Sequence, residues 1–329
     1  MLLKQPLTIG NMTVHNRLVL PPMASKHCGD DGYVTDELIA YYKEICRGGY
    51  IGLVITEHAY IDMVGKAGVG QMSVAEDGVV DGLKQLVDAI HDCGSKVICQ
   101  INHAGSGSNA DFNGGLMPVA PSAVGHPKRP DAVCREMTME EIKALPGQFA
   151  AAARRAMAAG YDGVEVHACH AYLLNQFYSP LTNFRTDEYG GSLDNRIRLI
   201  RECLRAVREE IGEEAVLAVR LGGSDYTEGG STIEDAAYAC KCFAEDGADL
   251  MDMSGGMCYF NLPDRQYAGF FRDMTEAVKA AVDVPVILTG GVWSAEKAEG
   301  LLADGVADLI GVGRAMLQNP RWAEQQLGE

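Results

Sequence analysis

The segment Glu165-Val166-His167-Ala168-Cys169-His170-Ala171-Tyr172 carries two imidazoles three residues apart and a phenol two residues further on. Two imidazoles converging on one oxygen can hold developing negative charge, and a phenol beside them can deliver a proton. The alternative is a metal centre with His167 and His170 as two ligands. Zinc requires three or four, and no third ligand is evident in the neighbouring sequence, so no metal is expected. Cys169, next to His170 on what reads as an extended segment, is expected to face away from the site.

Two further stretches could bind an anion. Thr289-Gly290-Gly291-Val292 and Gly311-Val312-Gly313-Arg314 each pair glycines with open backbone, and the second adds a guanidinium. Glycine lets the chain approach a ligand closely, free N–H groups bind phosphate, and arginine adds a charge-assisted fork. Gln100 and Arg220 each stand near the end of an apolar run. An amide can read a planar heterocycle with a donor and an acceptor, and a buried arginine favours negative charge on its partner. Pro21-Pro22-Met23-Ala24 is too apolar for acid–base work and suits a wall against a flat ring. His103 reads as a hydrogen-bonded structural histidine.

These residues need a scaffold that brings them to one place. Eight short apolar runs read as strands: 17–21, 51–56, 96–101, 163–166, 215–221, 250–254, 285–288 and 308–312. Amphipathic helical stretches lie between them at 35–47, 79–92, 138–159, 193–211, 232–245, 274–282 and 295–303. Strand–helix alternation implies right-handed crossovers and a parallel sheet, and eight such units close into a (β/α)8 TIM barrel. A doubly wound sheet is the other reading, but no Gly-x-Gly-x-x-Gly follows the first strand. One domain spanning 1–329 is expected. Every candidate then falls at the C-terminal ends of strands, where barrels hold their active sites. Two long loops leave from that side, 102–138 and 255–272. The second carries Tyr259, Phe260 and Tyr267, which with the first would form a roomy apolar lid over a substrate.

Lys plus Arg number 28 and Asp plus Glu 45, a formal charge of −17. That excess argues against nucleic acid and anionic membrane surfaces as partners. No apolar run approaches the ~18 residues of a membrane span, and residues 1–10 lack the features of a signal peptide. The ten cysteines form no disulfide-like framework and no iron–sulfur spacing, as expected of a cytoplasmic protein with free thiols.

Taken in order, the motifs resemble the old yellow enzyme family of FMN-dependent ene-reductases. They are Asn16-Arg17 with Pro22-Met23, Gln100 with His103-Ala104-Gly105, the 165–172 block, Leu174-Asn175-Gln176-Phe177, and Ser179-Pro180. Asn183-x-Arg185-x-Asp187-x-Tyr189-Gly190-Gly191-Ser192 with Asn195-Arg196, then Gly290-Gly291 and Gly313-Arg314, complete the set. The resemblance implies FMN in the barrel mouth. Pro22, Met23 and Ala24 would line the flavin, Gln100 and Arg220 would bind its pyrimidine edge, and Gly290, Gly291, Gly313 and Arg314 its phosphate. His167 and His170 would bind a substrate carbonyl oxygen, with His167 also touching the flavin, and Tyr172 would donate the proton. Residues 183–196 would be structural.

The implied activity is reduction of an activated C=C bond in an α,β-unsaturated carbonyl compound. NADH or NADPH would reduce the flavin and leave, and hydride would then pass from flavin N5 to the enone. Alternatives are a flavin-dependent dehydrogenase or NAD(P)H oxidase acting on other substrates, and a non-redox barrel binding a phosphorylated metabolite. Ala24 departs from the threonine or cysteine of many relatives. The segments of longer relatives resembling 2,4-dienoyl-CoA reductase, an iron–sulfur part and a second nucleotide-binding part, are not in this sequence. A stand-alone reductase or one served by a separate electron-donor protein is therefore expected, and the resemblance favours a homo-oligomer.

Overall fold

A computed structural model describes residues 1–328; Glu329, the end of the expected domain, lies outside the described residues. Eight parallel strands close into a barrel. They are β1 (Leu18–Leu20), β2 (Leu53–Tyr60), β3 (Lys96–Asn102), β4 (Gly163–Ala168), β5 (Val216–Ser224), β6 (Leu250–Gly255), β7 (Val286–Thr289) and β8 (Leu309–Gly311). Each strand pairs with its neighbours in sequence, and β8 returns to β1. Helices follow the first seven strands: α1 (Asp36–Cys46), α2 (Val80–His91), α3 (Met139–Ala158), α4 (Leu193–Ile211), α5 (Ile233–Glu245), α6 (Arg272–Lys279) and α7 (Ala295–Ala303).

The pleat sorts side chains into two cores. Residues two apart share a face. Val19, Leu53, Ile55, Ile98, Val216, Ala218, Leu250, Ile287 and Leu309 pack together inside the barrel, while Leu217, Val219 and Leu221 join the larger core against the helices. A short antiparallel hairpin, Leu7–Ile9 with Met12–Val14, precedes β1. Its Ile9, Met12 and Val14 pack onto the interior cluster and plug that end of the barrel. Sequence periodicity did not announce this hairpin, because each strand is only three residues long.

Helix starts are capped as their side chains dictate. Thr138 with Glu141 and Thr232 with Asp235 form reciprocal boxes, while Thr35, Ser192 and Ser294 each accept one N–H. Strands β2 and β5 run further than expected, by four and three residues. Arg220 therefore lies within β5 and does not end it. The 102–138 loop is anchored from behind. Arg185 Nη1 donates to Pro121 O at 3.0 Å and Met137 O at 3.0 Å, and its Nε donates to Asp187 Oδ2 at 3.0 Å. Asn183 ties Phe177 O to Tyr189 O through 2.7 Å bonds, and Arg196 donates to Tyr178 O at 3.0 Å. The expected structural role of 183–196 is what these bonds perform.

Candidate active site

Continuing the pleat upward from the apolar layer gives Gln100 on β3, Glu165 on β4, Arg220 on β5 and Asp252 on β6, all buried and inward. Gln100 Nε2 donates to Glu165 Oε1 at 2.7 Å. Arg220 Nε stands 3.0 Å from Asp252 Oδ2, although the angle makes no hydrogen bond. Burial pushes both carboxyls above their ordinary range, and the Arg220 charge pulls each back. Gln100 is thus held in the barrel floor and does not reach the cavity above. Arg220 does reach it.

One step higher on β4 is His167, paired in register with Arg220 on β5. After Ala168 the chain leaves the strand through His170 and Ala171, both left-handed at φ 56° and 58°. That is a costly conformation for residues with a Cβ. It is held by neighbours: Asn175 Oδ1 accepts from Ala171 N at 2.8 Å, and Gln176 Nε2 donates to Ala171 O at 2.6 Å. The turn brings the His170 ring back over the barrel, where its Nε2 shares a 2.7 Å hydrogen bond with Ser254 Oγ. Ring centroids of His167 and His170 are 5.4 Å apart, and those of His167 and Tyr172 are 5.0 Å apart.

The expectation that Cys169 faces away is corrected. Its Sγ lies 3.5 Å from His167 Nε2. The two residues are two apart on the pleat and share the inward face. It is His170 that reaches the site by leaving the extended conformation.

His170, Tyr172, Arg220 and Ser254 open onto a cavity of about 690 Å³, within the range of small-molecule sites, while His167 is buried against the His170 and Tyr172 rings. Pro22, Met23 and Ala24 form one wall, and Gly290, Gly291, Gly313 and Arg314 form a rim that adjoins it, Gly313 packing against Pro21 and Met23. Gly291 has φ 67°, and a Cβ there would sit 2.5 Å from Tyr267 O, so the rim is open because the residue is glycine. Tyr259 and Phe260 line the cavity from the loop after β6. Tyr267 stays half exposed and lends the cavity no side-chain surface.

Several lining residues were not anticipated. His58 on β2 is T-shaped to His167 at 6.2 Å and to Tyr172 at 5.7 Å. Its tautomer follows from its neighbour. Ala67 N donates to Gln71 Oε1 at 2.6 Å, which fixes the amide, so Gln71 Nε2 donates to His58 Nδ1 at 2.7 Å. The proton on His58 then sits on Nε2. His126, Lys128 and Arg129 come from the 102–138 loop, Lys128 Nζ resting 3.5 Å from the Tyr259 ring centroid. The lid is therefore cationic and aromatic where an apolar one was expected. Lys128, Arg129, Arg220 and Arg314 are the charged residues lining the cavity, and no acidic side chain joins them.

Burial sets the protonation states. His167 and His170 are held well below the ordinary imidazole range, and His58 is lowered to about 4. All three are neutral at neutral pH. Tyr172 is raised to about 12 by burial, so its phenol keeps its proton. The mouth therefore offers neutral donors, one protonated acid, an apolar wall and an open-backbone rim with a guanidinium.

That donor set fits a flat, phosphorylated cofactor. Arg220 would face its polar edge, Met23 and Ala24 its ring, and the Gly291, Gly313 and Arg314 rim its phosphate. Fold and mouth together define a barrel enzyme built around such a group.

Comparison with known proteins agrees. Residues 2–327 match the NADH:flavin oxidoreductase / NADH oxidase family. The chain is 37% identical to an NADH oxidase from Thermoanaerobacter brockii over 96% of its own length and 49% of that protein's. Among solved structures, a 2-naphthoyl-CoA reductase complex superposes with TM-score 0.92 at 33% identity, covering 98% of this chain and 52% of that one. The old yellow enzyme homologue from Zymomonas mobilis superposes with TM-score 0.84 at 29% identity, covering 98% and 92%. The chain thus spans about half the length of the first relatives it matches and nearly all of others. It belongs to the NADH:flavin oxidoreductase / NADH oxidase family, the FMN-linked, NAD(P)H-dependent barrels of the old yellow enzyme type.

Proposed function

We propose that the protein reduces the activated C=C bond of an α,β-unsaturated carbonyl compound at the expense of NADH or NADPH. The observation that carries this is the convergence of neutral His167 and His170 with protonated Tyr172 beside the Met23–Ala24 wall. FMN would be held by Arg220, Met23 and the Gly291–Arg314 rim and, when bound, would supply reversible two-electron storage between nicotinamide and acceptor. The protein does the rest.

The imidazole N–H groups orient the carbonyl oxygen and hold the charge that grows on it as the alkene is reduced. A single such donor is worth roughly 10²–10³ in rate. Ser254 steadies the His170 ring. Tyr172 gives its proton to the α-carbon and is reprotonated from solvent through the cavity mouth. Tyr259, Phe260 and the 102–138 loop exclude bulk water. Direct reduction by the nicotinamide, a cytoplasmic location and a homo-oligomeric state belong to the same reading.

Turnover of an enone panel tests the substrate class. NAD(P)H consumed with oxygen or amines as partner, and none with any enone, would replace it with an oxidase or dehydrogenase. Tyr172→Phe tests the mechanism. It should slow alkene reduction about 10²–10⁴-fold and leave flavin reduction by NAD(P)H unchanged. Equal rates in both half-reactions would remove Tyr172 from the proton transfer.

A further inference from the structure

The oxyanion-binding pair has a third member. Cys169 Sγ and one ring nitrogen each of His167 and His170 all lie within 4.8 Å of one another. The His167 Nε2 to Cys169 Sγ edge is 3.5 Å. A tetrahedral zinc with Zn–S about 2.3 Å and Zn–N about 2.0–2.1 Å sets sulfur and nitrogen roughly 3.6 Å apart. That edge is therefore already at ligand spacing; the other two, within 4.8 Å, require the His170 ring to move toward the pair and give up its 2.7 Å bond to Ser254 Oγ.

His167 is 1% exposed and its Nδ1 has no hydrogen-bond partner, so Cys169 is the polar contact of its ring. Of the three residues it is His170 that lines the cavity, so access for a cation is from the His170 side. Three protein ligands and one open position are the arrangement of an exchangeable zinc site.

We propose that His167, Cys169 and His170 bind a soft or borderline divalent cation, Zn²⁺ in the first instance, at the position the substrate oxygen would take. Thiolate and imidazole select zinc over magnesium or calcium. Binding releases the thiol proton of Cys169 to solvent and forms the Zn–S bond in its place. The occupied site then excludes the oxygen of an acceptor, so the cation acts as an inhibitor. Cation binding itself stands whether or not the acceptor is an enone.

The test is equilibrium dialysis of the FMN-loaded protein against Zn²⁺, with Cys169→Ser and Cys169→Ala beside the wild type. All ten cysteines are free, so the other nine give a background common to all three proteins. The retained flavin band reports that each variant is folded. Wild type should bind one more Zn²⁺ per chain than either variant, because each variant removes the thiolate ligand. Magnesium should show no difference. Co²⁺ in place of Zn²⁺ should give a thiolate-to-metal charge-transfer band in wild type alone. Equal Zn²⁺ stoichiometry and affinity in the three proteins, or no wild-type-specific cobalt band, would overturn the site.

Discussion

Arg314 stands on the cavity rim with the Phe270 ring 5.9 Å from its guanidinium carbon, and among the described residues it makes no ion pair. A charge so placed is available to a phosphate. Replacing it with alanine should remove a charge-assisted contact of about 1.5–3 kcal/mol. The flavin would then be lost on desalting at protein concentrations where wild type stays yellow; retention equal to wild type would place the phosphate elsewhere. The acid–base groups carry a second prediction. The imidazoles are neutral and the phenol protonated across the neutral range. Each would change state only as pH falls below the ordinary imidazole range or rises toward the Tyr172 value of about 12. The acceptor half-reaction should therefore be flat between about pH 7 and 10. A bell centred near neutrality in stopped-flow data would mean another group moves the proton.

At the scale of elements, β2 and the 102–138 loop show why some of the site was legible and some was not. Glu165 and His167 follow from alternation along a strand. His58 does not, because β2 shifts register between Thr56 and Ala59 and continues to Tyr60. Such an irregularity re-aims a side chain, and nothing in Thr56-Glu57-His58 marks it. Lys128 and Arg129 are placed by distant contacts: Arg129 Nη2 donates to Gly107 O at 2.7 Å and to Ser108 O at 3.1 Å. No local pattern encodes those partners. The loop is held in turn by Arg185. Arg185→Ala should cost roughly 2–3 kcal/mol in chemical denaturation and loosen the lid, because it strips charge-assisted bonds from buried carbonyls. An unchanged midpoint would show that Arg185 is dispensable.

For the molecule as a whole, the eight-fold strand–helix rhythm made the barrel readable, and the hairpin that plugs it was not. The glycine rim and the Met23–Ala24 wall line one cavity with His170 and Tyr172, while Gln100, His167 and Tyr267 are not among its lining residues. Charge is also sorted at this scale. A chain of net −17 sets only basic charged side chains around its cavity. Small phosphorylated dinucleotides meet a net acidic protein with basic groups gathered at this cavity, and salt screens that attraction beyond a Debye length of ~8–10 Å at ordinary ionic strength. The mouth is then an ion-selective funnel that decides how fast the reductant arrives, apart from how well it reacts. kcat/KM for NADPH should fall as sodium chloride is added, and less steeply in Lys128→Gln than in wild type. If the two salt slopes coincide, Lys128 plays no part in capture. A steeper wild-type slope would make the lid a kinetic gate whose opening is set by the ionic strength around it.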